Sequence, residues 1–287
     1  MKMGTCRLSG IVLLIIVLLF SCKKTEIDNN NNLSLVKLFN YPNEIYNTGI
    51  LKLSDDNILL QGYDNKTDSK IIFKCDANGK LIWQKVMPPN FASQTSLLAD
   101  NNGGFILIGS ESVFATNPLS IAHFNSDGDS IWSNKIIIPG FTSSYTWHSS
   151  IIDEDYNIHI ITSTSDSIYL IKYSMQGNLL LKKGIHLQSG AIWIDNSNYF
   201  LYDNNSGNYF IYTKVDQPDN TRVNCLIKAD ANGNEKWMKI DSSHLDGIGS
   251  GLILKGNRIH VFHTDGYDLD TFLYCPGNLY REQWDTA

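Results

Sequence analysis

The residues with side chains suited to catalysis or metal binding do not stand at the spacings that either chemistry needs. His260 and His263 are three apart on a predicted strand, where such positions point to opposite faces and cannot share a metal ion. Asn125, Asp127 and Asp129 have the alternating oxygens of a calcium loop. Corresponding turns of the chain lack that pattern, so turn formation explains it without an ion. With no phosphate-binding loop, nucleophile elbow or zinc motif found, the sequence predicts no catalytic residue, metal or cofactor.

The richest group of aromatic side chains lies in a predicted loop over residues 139–149, which contains Tyr145, Trp147 and His148. Aromatic faces beside serine and histidine suit sugar stacking or a protein-binding hot spot, because they offer a large contact area with few rotatable bonds. The alternative is that Tyr145 and Trp147 plug the centre of the fold. We predict that these three residues contribute to a ligand site for a polysaccharide or an envelope protein.

An internal repeat with a period of about 50 residues sets the elements that must position this site. Four copies align on glycines spaced 49, 49 and 56 residues apart, and a weaker fifth copy centres on Gly277, with its fourth strand after that glycine. Tryptophan follows the glycine by four residues in three copies. The aligned pairs are Gly79 with Trp83, Gly128 with Trp132, Gly177 with Leu181 and Gly233 with Trp237. Strand-rich repeats of this length are typical of β-propeller blades, and Trp83, Trp132 and Trp237 are predicted to pack between neighbouring blades.

Each copy resolves into four short strands with β-branched or aromatic alternation. In the first copy they cover residues 48–53, 58–63, 70–75 and 81–87. Clusters of Asn, Asp and Gly separate the first strand from the second, because tight hairpins require positive φ. These clusters are residues 55–57, 100–104, 153–155, 195–197 and 255–257. We therefore predict an all-β propeller of about five four-stranded blades, or six with one degenerate blade, closed by residues 35–39 pairing with the last blade.

The other titratable residues fall in structural positions of this repeat. His159 and His260 occupy equivalent places in two copies, which favours packing or hydrogen bonding over catalysis. Asp153, Glu154 and Asp195 are the carboxylates nearest the predicted innermost strands, and a glycoside hydrolase needs two such groups about 5–9.5 Å apart. All three lie in the recurring turns. The opposite end of the blades has loops that vary in length and content, and there we expect binding.

The N-terminus has the features of an export signal. Lys2 and Arg7 precede ten apolar residues at 11–20, a run too short for a hydrocarbon core that needs about 20 residues. Residues 19–22, Leu-Phe-Ser-Cys, resemble the lipobox of bacterial lipoproteins, which implies cleavage before Cys22 and acyl chains on that cysteine. The alternative is an uncleaved signal anchor. The predicted organisation is a signal peptide at 1–21, a lipidated cysteine and flexible tether at 22–33, and the propeller domain at 34–287.

The segment Asp76-Ala-Asn-Gly79-Lys-Leu-Ile-Trp83 resembles the tryptophan-docking repeat of quinoprotein-type propellers and the repeats of propeller lipoproteins of the Bacteroidetes. The resemblance implies propeller architecture over residues 34–287 and attachment to the outer membrane through Cys22. Asp76 and Gly79 are three residues apart rather than four, and the copies drift in length, so no quinone cofactor is implied. Three Asp-initiated triplets also resemble the O-glycosylation sites of exported Bacteroidetes proteins, with Ser130, Ser167 and Thr286 as acceptors.

Composition argues against a nucleic-acid partner. The chain has 29 acidic and 23 basic residues and a pI of about 5.6, without clustered Lys and Arg. Cys75, Cys225 and Cys275 match no zinc or disulfide framework, which favours buried thiols, with one bridge as the alternative.

Together these features favour a non-catalytic binding or scaffold protein, lipid-anchored to the outer membrane and facing the periplasm or the cell surface. The alternative is a glycoside hydrolase or lyase whose active site lies in the propeller funnel. A sensor or signalling lipoprotein is the third possibility.

Overall fold

The computed structural model describes residues 45–64, 66–67, 69–91, 93–110, 119–138, 148–164, 166–187, 193–194, 199–216, 222–241, 248–255, 258–264 and 279–285. Apart from a short 3-10 helix at Pro89–Phe91, the regular structure there is β. The strands are β1 (Ile45–Lys52), β2 (Ile58–Asp64), β3 (Ser69–Cys75), β4 (Leu81–Val86), β5 (Ser93–Ala99), β6 (Phe105–Ser110), β7 (Leu119–Phe124), β8 (Ser130–Ile136), β9 (His148–Ile152), β10 (Asn157–Ser163), β11 (Ser167–Ser174), β12 (Leu179–His186), β13 (Trp193–Ile194), β14 (Tyr199–Asp203), β15 (Asn208–Asp216), β16 (Arg222–Ala229), β17 (Glu235–Asp241), β18 (Ile248–Lys255), β19 (Arg258–Thr264) and β20 (Leu279–Asp285).

In the described part of the chain these strands form five antiparallel sheets, each from consecutive strands. Sheet one has the order β1-β2-β3-β4, sheet two β5-β6-β7-β8 and sheet three β9-β10-β11-β12. In sheet four, β13 and β14 both pair with β15, which is followed by β16 and β17. Sheet five has the order β18-β19-β20. The prediction of an all-β chain built largely from four-stranded antiparallel units is confirmed, and such units are typical of propeller blades.

Burial along the strands shows which side of each sheet is inside. In sheet one, β2 and β3 are buried over almost their whole length, as expected of central strands. β4 alternates between half-buried and exposed residues, which is typical of an outer strand. The first strands of successive sheets approach one another, β1 with β5 and β5 with β9. The first strand is therefore the innermost of its sheet and the fourth is the outermost.

The hydrophobic core lies between consecutive sheets, in interfaces that we call seams. Leu59 and Ile72 of sheet one pack with Phe105 and Leu107 of sheet two. Similar clusters join sheet two to three, three to four and four to five. Each fully buried Leu, Ile or Phe side chain contributes about 1.5–3 kcal/mol through removal of apolar surface from water. The fold is therefore stabilised mainly by packing of one sheet face on the next.

The two ends of the sheets are built differently. At the end that we call the turn end, short hairpins join the first strand to the second and the third to the fourth. In sheet one the Asp76 N–H donates to the Lys80 carbonyl at 2.9 Å, and Gly79 has a φ of +81°, a region that glycine adopts without strain. At the opposite end, the loop end, the second strand connects to the third and each sheet connects to the next.

One predicted boundary in sheet four and one in sheet five are wrong. The first hairpin of sheet four spans residues 203–208 rather than 195–197, because Asp203 accepts the Asn205 N–H and Gly207 has a positive φ. In sheet five, β20 pairs directly with β19 and is its third strand, not the fourth strand predicted after Gly277. A continuous seven-residue register with β19 outweighs the weak turn signal at that glycine.

Several predictions lie outside the described residues, namely the signal peptide, Cys22, the tether, the closing strand at 35–39 and Cys275. Cys75 and Cys225 are buried thiols. In the part of the chain that the structure describes, no helix has both the length and the apolar character needed to cross a membrane.

Candidate functional site

Tryptophans on the outer strands fasten two seams at the turn end. Trp83 on β4 lies beside Phe105 of sheet two, with ring centroids 6.3 Å apart, and its indole N–H donates to the Ser126 carbonyl at 3.1 Å. One sheet later, the Trp132 indole N–H donates to the Met175 carbonyl at 2.9 Å. Both acceptors lie in the second hairpin of the following sheet. The two side chains thus combine apolar packing with a hydrogen bond across the seam.

The next two seams differ from this pattern. Leu181 takes the tryptophan position in sheet three and packs against the core between sheets three and four. Trp237 in sheet four packs with Leu252 and Ile259 of sheet five. Its indole nitrogen is shielded from solvent and has no hydrogen-bond partner within the described residues.

A basic side chain paired with a carboxylate lies at the turn end in each of the first three sheets. The basic residues occupy the same rung of the third strand, beside the outer-strand Trp or Leu. Removing one partner of such a pair leaves a buried charge uncompensated, which is strongly destabilising. The pairs are Lys74 with Asp55 at 3.0 Å, His123 with Asp100 at 2.7 Å and Lys172 with Asp153 at 3.3 Å.

In the seam between sheets three and four this pairing extends into a chain of three side chains. His159 Nε2 lies 2.8 Å from Asp153 Oδ2, and His159 Nδ1 lies 2.9 Å from the Tyr209 hydroxyl. Burial lowers the pKa of His159, against the hydrogen bond to Asp153 that would raise it, so the ring is neutral at neutral pH. The Nε2–H then donates to Asp153 and the Tyr209 O–H donates to Nδ1.

The charge on Asp153 is set by the same contacts. Burial by itself would raise the pKa of Asp153, but the hydrogen bonds from His159 and Asn157 outweigh it and lower that pKa to about 2. The same sequence of contacts, from aspartate to histidine to a hydroxyl, occurs in catalytic triads, where the histidine activates the hydroxyl as a nucleophile. Here burial raises the pKa of Tyr209, and His159 and Tyr209 are only 0% and 1% exposed. The three hydrogen-bonded side chains therefore fasten two sheets and present no group to a substrate.

His260 occupies the matching rung of sheet five and is also buried.

The calcium-like spacing at 125–129 forms a hairpin turn. Asn125 Oδ1 accepts the backbone N–H groups of Asp127 at 3.0 Å and Asp129 at 2.9 Å. The Asp129 carboxylate pairs instead with Lys85 of sheet one at 2.6 Å. Among the described residues, no group of three or more His, Cys, Asp or Glu side chains is arranged to hold a metal ion.

The predicted glycosylation acceptors and the remaining candidate carboxylates differ in their exposure to solvent. Ser130 is exposed at the start of β8, whereas Ser167 is only 8% exposed, so only the first is open to a glycosylating enzyme in the folded protein. Glu154 is exposed in the first hairpin of sheet three. Asp195 and Thr286 lie outside the described residues.

At the loop end several polar side chains are buried beside the apolar ones. A buried polar group loses its hydration, and a hydrogen bond within the protein must offset that loss of free energy. A core with many buried polar groups is therefore less stable unless each has a partner. Convergent polar groups in a partly apolar surround are typical of ligand sites. The buried polar residues of this end are Gln61, Asp64 and Lys70 in sheet one, Ser120 in sheet two, Thr162, Ser163, Thr164 and Ser167 in sheet three, and Thr213, Lys214 and Asn224 in sheet four.

In four of the five described sheets, the innermost strand leaves regular pairing at one common level near this end. β1 bulges between Asn47 and Gly49, β5 between Ser93 and Ser96, and β18 between Gly249 and Gly251. In sheet four the first strand is split between Ile194 and Tyr199, opposite Thr213 and Lys214. The register places all four irregularities at the same rung. Bulges release backbone donors and acceptors from the ladder, and they are frequent next to functional sites.

His148 lies at that same level in sheet three. It is the first residue of β9 and pairs with Thr162, the rung that corresponds to Gly62 of sheet one. The residue is half-buried, and both of its ring nitrogens are shielded from solvent. The pairing of β9 with β10 places His148 on a strand, so the predicted loop bound at residue 149 is wrong. Tyr145 and Trp147, the other two predicted ligand residues, lie outside the described residues.

Lys70 and Lys214 were not identified from the sequence. Lys70 occupies the rung where sheets two and three have Leu119 and Ile168. Burial lowers the pKa of Lys70 to about 8, and its Nζ lies 5.8 Å from the centroid of the Tyr63 ring. The available signal was a charged residue at a position that is apolar in sheets two and three, and detecting it requires the strand register.

Comparisons with known proteins assign no activity. No protein-family model matches the sequence, and no curated protein matches it. Among solved structures, a protein of unknown function from Bacteroides caccae is 11% identical and has a TM-score of 0.48, covering 86% of this chain and 81% of that one. The β-propeller domain of the Trilobed protease from Pyrococcus furiosus is 12% identical, with a TM-score of 0.49 and coverage of 84% and 67%. An exo-β-1,3-galactanase from Clostridium thermocellum is 10% identical, with a TM-score of 0.43 and coverage of 83% and 58%.

Proposed function

We propose that this protein is a lipid-anchored, non-catalytic binding or scaffold protein of the bacterial cell envelope, a propeller of about five blades that binds its ligand at the loop end. One observation carries the proposal. In four of the five described sheets the innermost strand leaves regular pairing at a single level, and polar side chains are buried at that same end of the sheets. A bulge takes backbone donors and acceptors out of the ladder, and such groups can make directional hydrogen bonds to a ligand.

The ligand that fits this chemistry best is a polysaccharide. Sugars combine apolar ring faces with many hydroxyls, so they need aromatic platforms beside hydrogen-bonding groups. Tyr145 and Trp147 are the proposed platforms, since they lie three residues and one residue before His148, which is at the level of the bulges. An envelope protein that uses the same aromatic residues as a hot spot is the second candidate.

Binding is favoured over glycoside hydrolysis by the state of the carboxylates. Hydrolysis needs two carboxyl groups facing a common cleft. Asp64 at the loop end accepts the backbone N–H of Lys66 at 2.9 Å and so holds its turn. Asp100 and Asp153 are paired with histidines at the turn end. These buried carboxylates are thus committed to structural contacts.

The test is binding of the purified complete protein to a panel of acidic and neutral polysaccharides, with the melting temperature of each variant measured alongside. Trp147→Ala and His148→Ala should weaken binding about tenfold or more, equivalent to about 1.4 kcal/mol. Lys80→Ala, on the exposed second hairpin of sheet one at the turn end, is the matched control. Normal stability with every binding signal intact would remove the site assignment. A collapse of stability in Trp147→Ala would instead show that this residue plugs the fold.

A further inference from the structure

Ser150 on β9 is a polar residue at an apolar position of the repeat. It occupies the rung where the innermost strands of the other four sheets have Ile50, Leu97, Phe200 and Leu252. Three of these four belong to the apolar clusters that join their sheet to the preceding one, namely Leu97, Phe200 and Leu252. A serine at this rung gives up most of the free energy that burial of such an apolar side chain provides.

The side chain of Ser150 faces the seam between sheets two and three. Ile152, two residues further along β9, packs in the apolar cluster of that seam, and residues two apart on a strand lie on the same face. His148, two residues in the other direction, lies on this face at the level of the bulges. His148 and Ser150 therefore form a polar pair on one face of β9, between the loop end and the apolar core.

The Ser150 hydroxyl oxygen is shielded from solvent, and it has no hydrogen-bond partner within the residues that the structure describes. Burying a hydroxyl without a hydrogen bond destabilises the folded state. The apolar residues at the same rung of the other sheets avoid this penalty. Sheet three thus keeps a hydroxyl where it opposes folding, and local violations of this kind are typical of functional sites.

Sheet three also differs from the other four sheets in its backbone at this level. β9 keeps its regular pairing with β10 from His148 to Ile152, whereas the other innermost strands bulge or break there. Its backbone donors and acceptors therefore remain in the ladder. In sheet three the side chains of His148 and Ser150 take the place of released backbone groups as the source of hydrogen bonds.

We propose that Ser150 is a ligand-contacting and specificity-determining residue of the loop-end site, an inference that rests on the binding function proposed above. Its hydroxyl forms a hydrogen bond with a hydroxyl group of a saccharide that reaches between sheets two and three beside His148. A serine hydroxyl donates one hydrogen bond and accepts others, as each hydroxyl of a sugar does. Ser150 is half-buried as a residue, and rotation about its one side-chain bond turns the hydroxyl towards the ligand.

This contact would select for sugars with a hydroxyl at the matching position. A site that contains a polar group for a ligand hydroxyl disfavours an analogue without it, because the polar group of the protein is then left unpaired. The aromatic platforms contribute contact area without such discrimination. Ser150 would therefore decide which saccharide binds, whereas Tyr145 and Trp147 would supply most of the affinity.

Threonine and valine at position 150 separate the effect of the hydroxyl from that of side-chain size. Both are β-branched and similar in size, and they differ by a hydroxyl in place of a methyl group. Binding of the complete protein to laminarin, dextran and polygalacturonate is measured by isothermal titration calorimetry. Ser150→Thr should bind within about twofold of the wild type, and Ser150→Val about five- to tenfold more weakly.

Ser149→Val is the matched control, since this adjacent serine is also half-buried but lies on the opposite face of β9. Ser150→Ala is a second variant, which removes the hydroxyl without adding volume, in case the β-branched residues do not fit. It should weaken binding as Ser150→Val does.

The melting temperature distinguishes a ligand contact from a structural role. Since the hydroxyl has no partner within the described residues, Ser150→Ala should melt at the wild-type temperature or above it. A clear fall in the melting temperature of Ser150→Ala would show that the hydroxyl is satisfied inside the folded protein, and the inference would be overturned.

Two further results separate this inference from the proposed function. Unchanged binding by Ser150→Val and Ser150→Ala, with binding by His148→Ala still weakened, would overturn the role of Ser150 and leave the loop-end site in place. If none of the three polysaccharides binds to the wild-type protein, the saccharide ligand is wrong and the role of Ser150 falls with it.

Discussion

Trp132 of sheet two and Gly177 of sheet three are in contact across their seam. A Cβ atom built on Gly177 would lie 2.8 Å from Cδ2 of Trp132, well inside van der Waals distance. Trp83 and Gly128 repeat this contact one sheet earlier, with 3.0 Å to Cη2. The repeated glycine therefore has two roles, because it allows the positive φ of the hairpin and leaves room for the indole ring.

Replacing Gly177 by alanine should destabilise the protein. The left-handed backbone alone costs about 1–2 kcal/mol for a residue with a Cβ atom, and the clash with Trp132 adds to it. The measurement is the free energy of unfolding in urea, with Gln176→Ala in the same exposed turn as the control. Equal stability of the two variants would mean that the contact between Trp132 and Gly177 is absent in solution.

Trp132→Ala should cost several kcal/mol of folding free energy. Emptying a large aromatic site costs about 3–5 kcal/mol, and half-burial of Trp132 places the expected value at the lower end. The variant also leaves the Met175 carbonyl without its donor. Ile131→Ala is the control, since this neighbour is 57% exposed. An unchanged melting temperature for Trp132→Ala would show that the indole does not fasten the seam.

Stability should fall on acidification through His159 first. Its folded pKa lies below the ordinary value of 6.5, so the unfolded state binds more protons once the pH drops below that value. Asp153, with a pKa of about 2 against 3.8, contributes stability above pH 3.8 that is lost between 3.8 and about 2. The measurement is the melting temperature from neutral pH down to about pH 5.

His159→Phe should flatten this pH dependence, because the variant lacks the titrating imidazole. Phenylalanine is the chosen substitute because sheet four has Phe210 at the same rung. His186→Gln is the control, since the His186 side chain is 69% exposed. A pH slope that is the same in wild type and in His159→Phe would contradict the assignment of a neutral buried histidine.

Cys22→Ser should release the protein from the membrane fraction. Acyl chains contribute about 0.8 kcal/mol for each buried CH₂ group, so their loss removes the anchor. Cell fractionation and intact mass provide the measurement, and Cys6→Ser, within the predicted signal peptide, is the control. A Cys22→Ser protein that still sediments with membranes would favour an uncleaved signal anchor.

The strands of sheet one were predictable from the sequence because hairpin chemistry and side-chain alternation agree there. β2 and β3 begin and end within one residue of the predicted bounds. In sheet four, two Asn- and Asp-rich clusters compete, and the sequence does not reveal that the one with Gly207 forms the hairpin. Turn composition is therefore decisive only where a single candidate lies between two strands.

The candidate site was less predictable, since it depends on pairing between strands. His148 was identifiable by its aromatic neighbours. The common level of the bulges, by contrast, appears only when Asn47 is matched with Gly62 and Gly249 with His263. The burial of Lys70 is likewise a property of the seam and not of its local sequence.

The replacement of tryptophan by Leu181 changes how the molecule would respond to force. The two seams before it are held by an indole wedged against a hairpin, whose strength depends little on proton concentration. The third is held by Asp153, His159 and Tyr209, a linkage that depends on the proton concentration, because a proton on Nδ1 occupies the site that accepts the Tyr209 O–H. Under load in an acidic compartment, the contact between sheets three and four would therefore be weakened at one defined linkage.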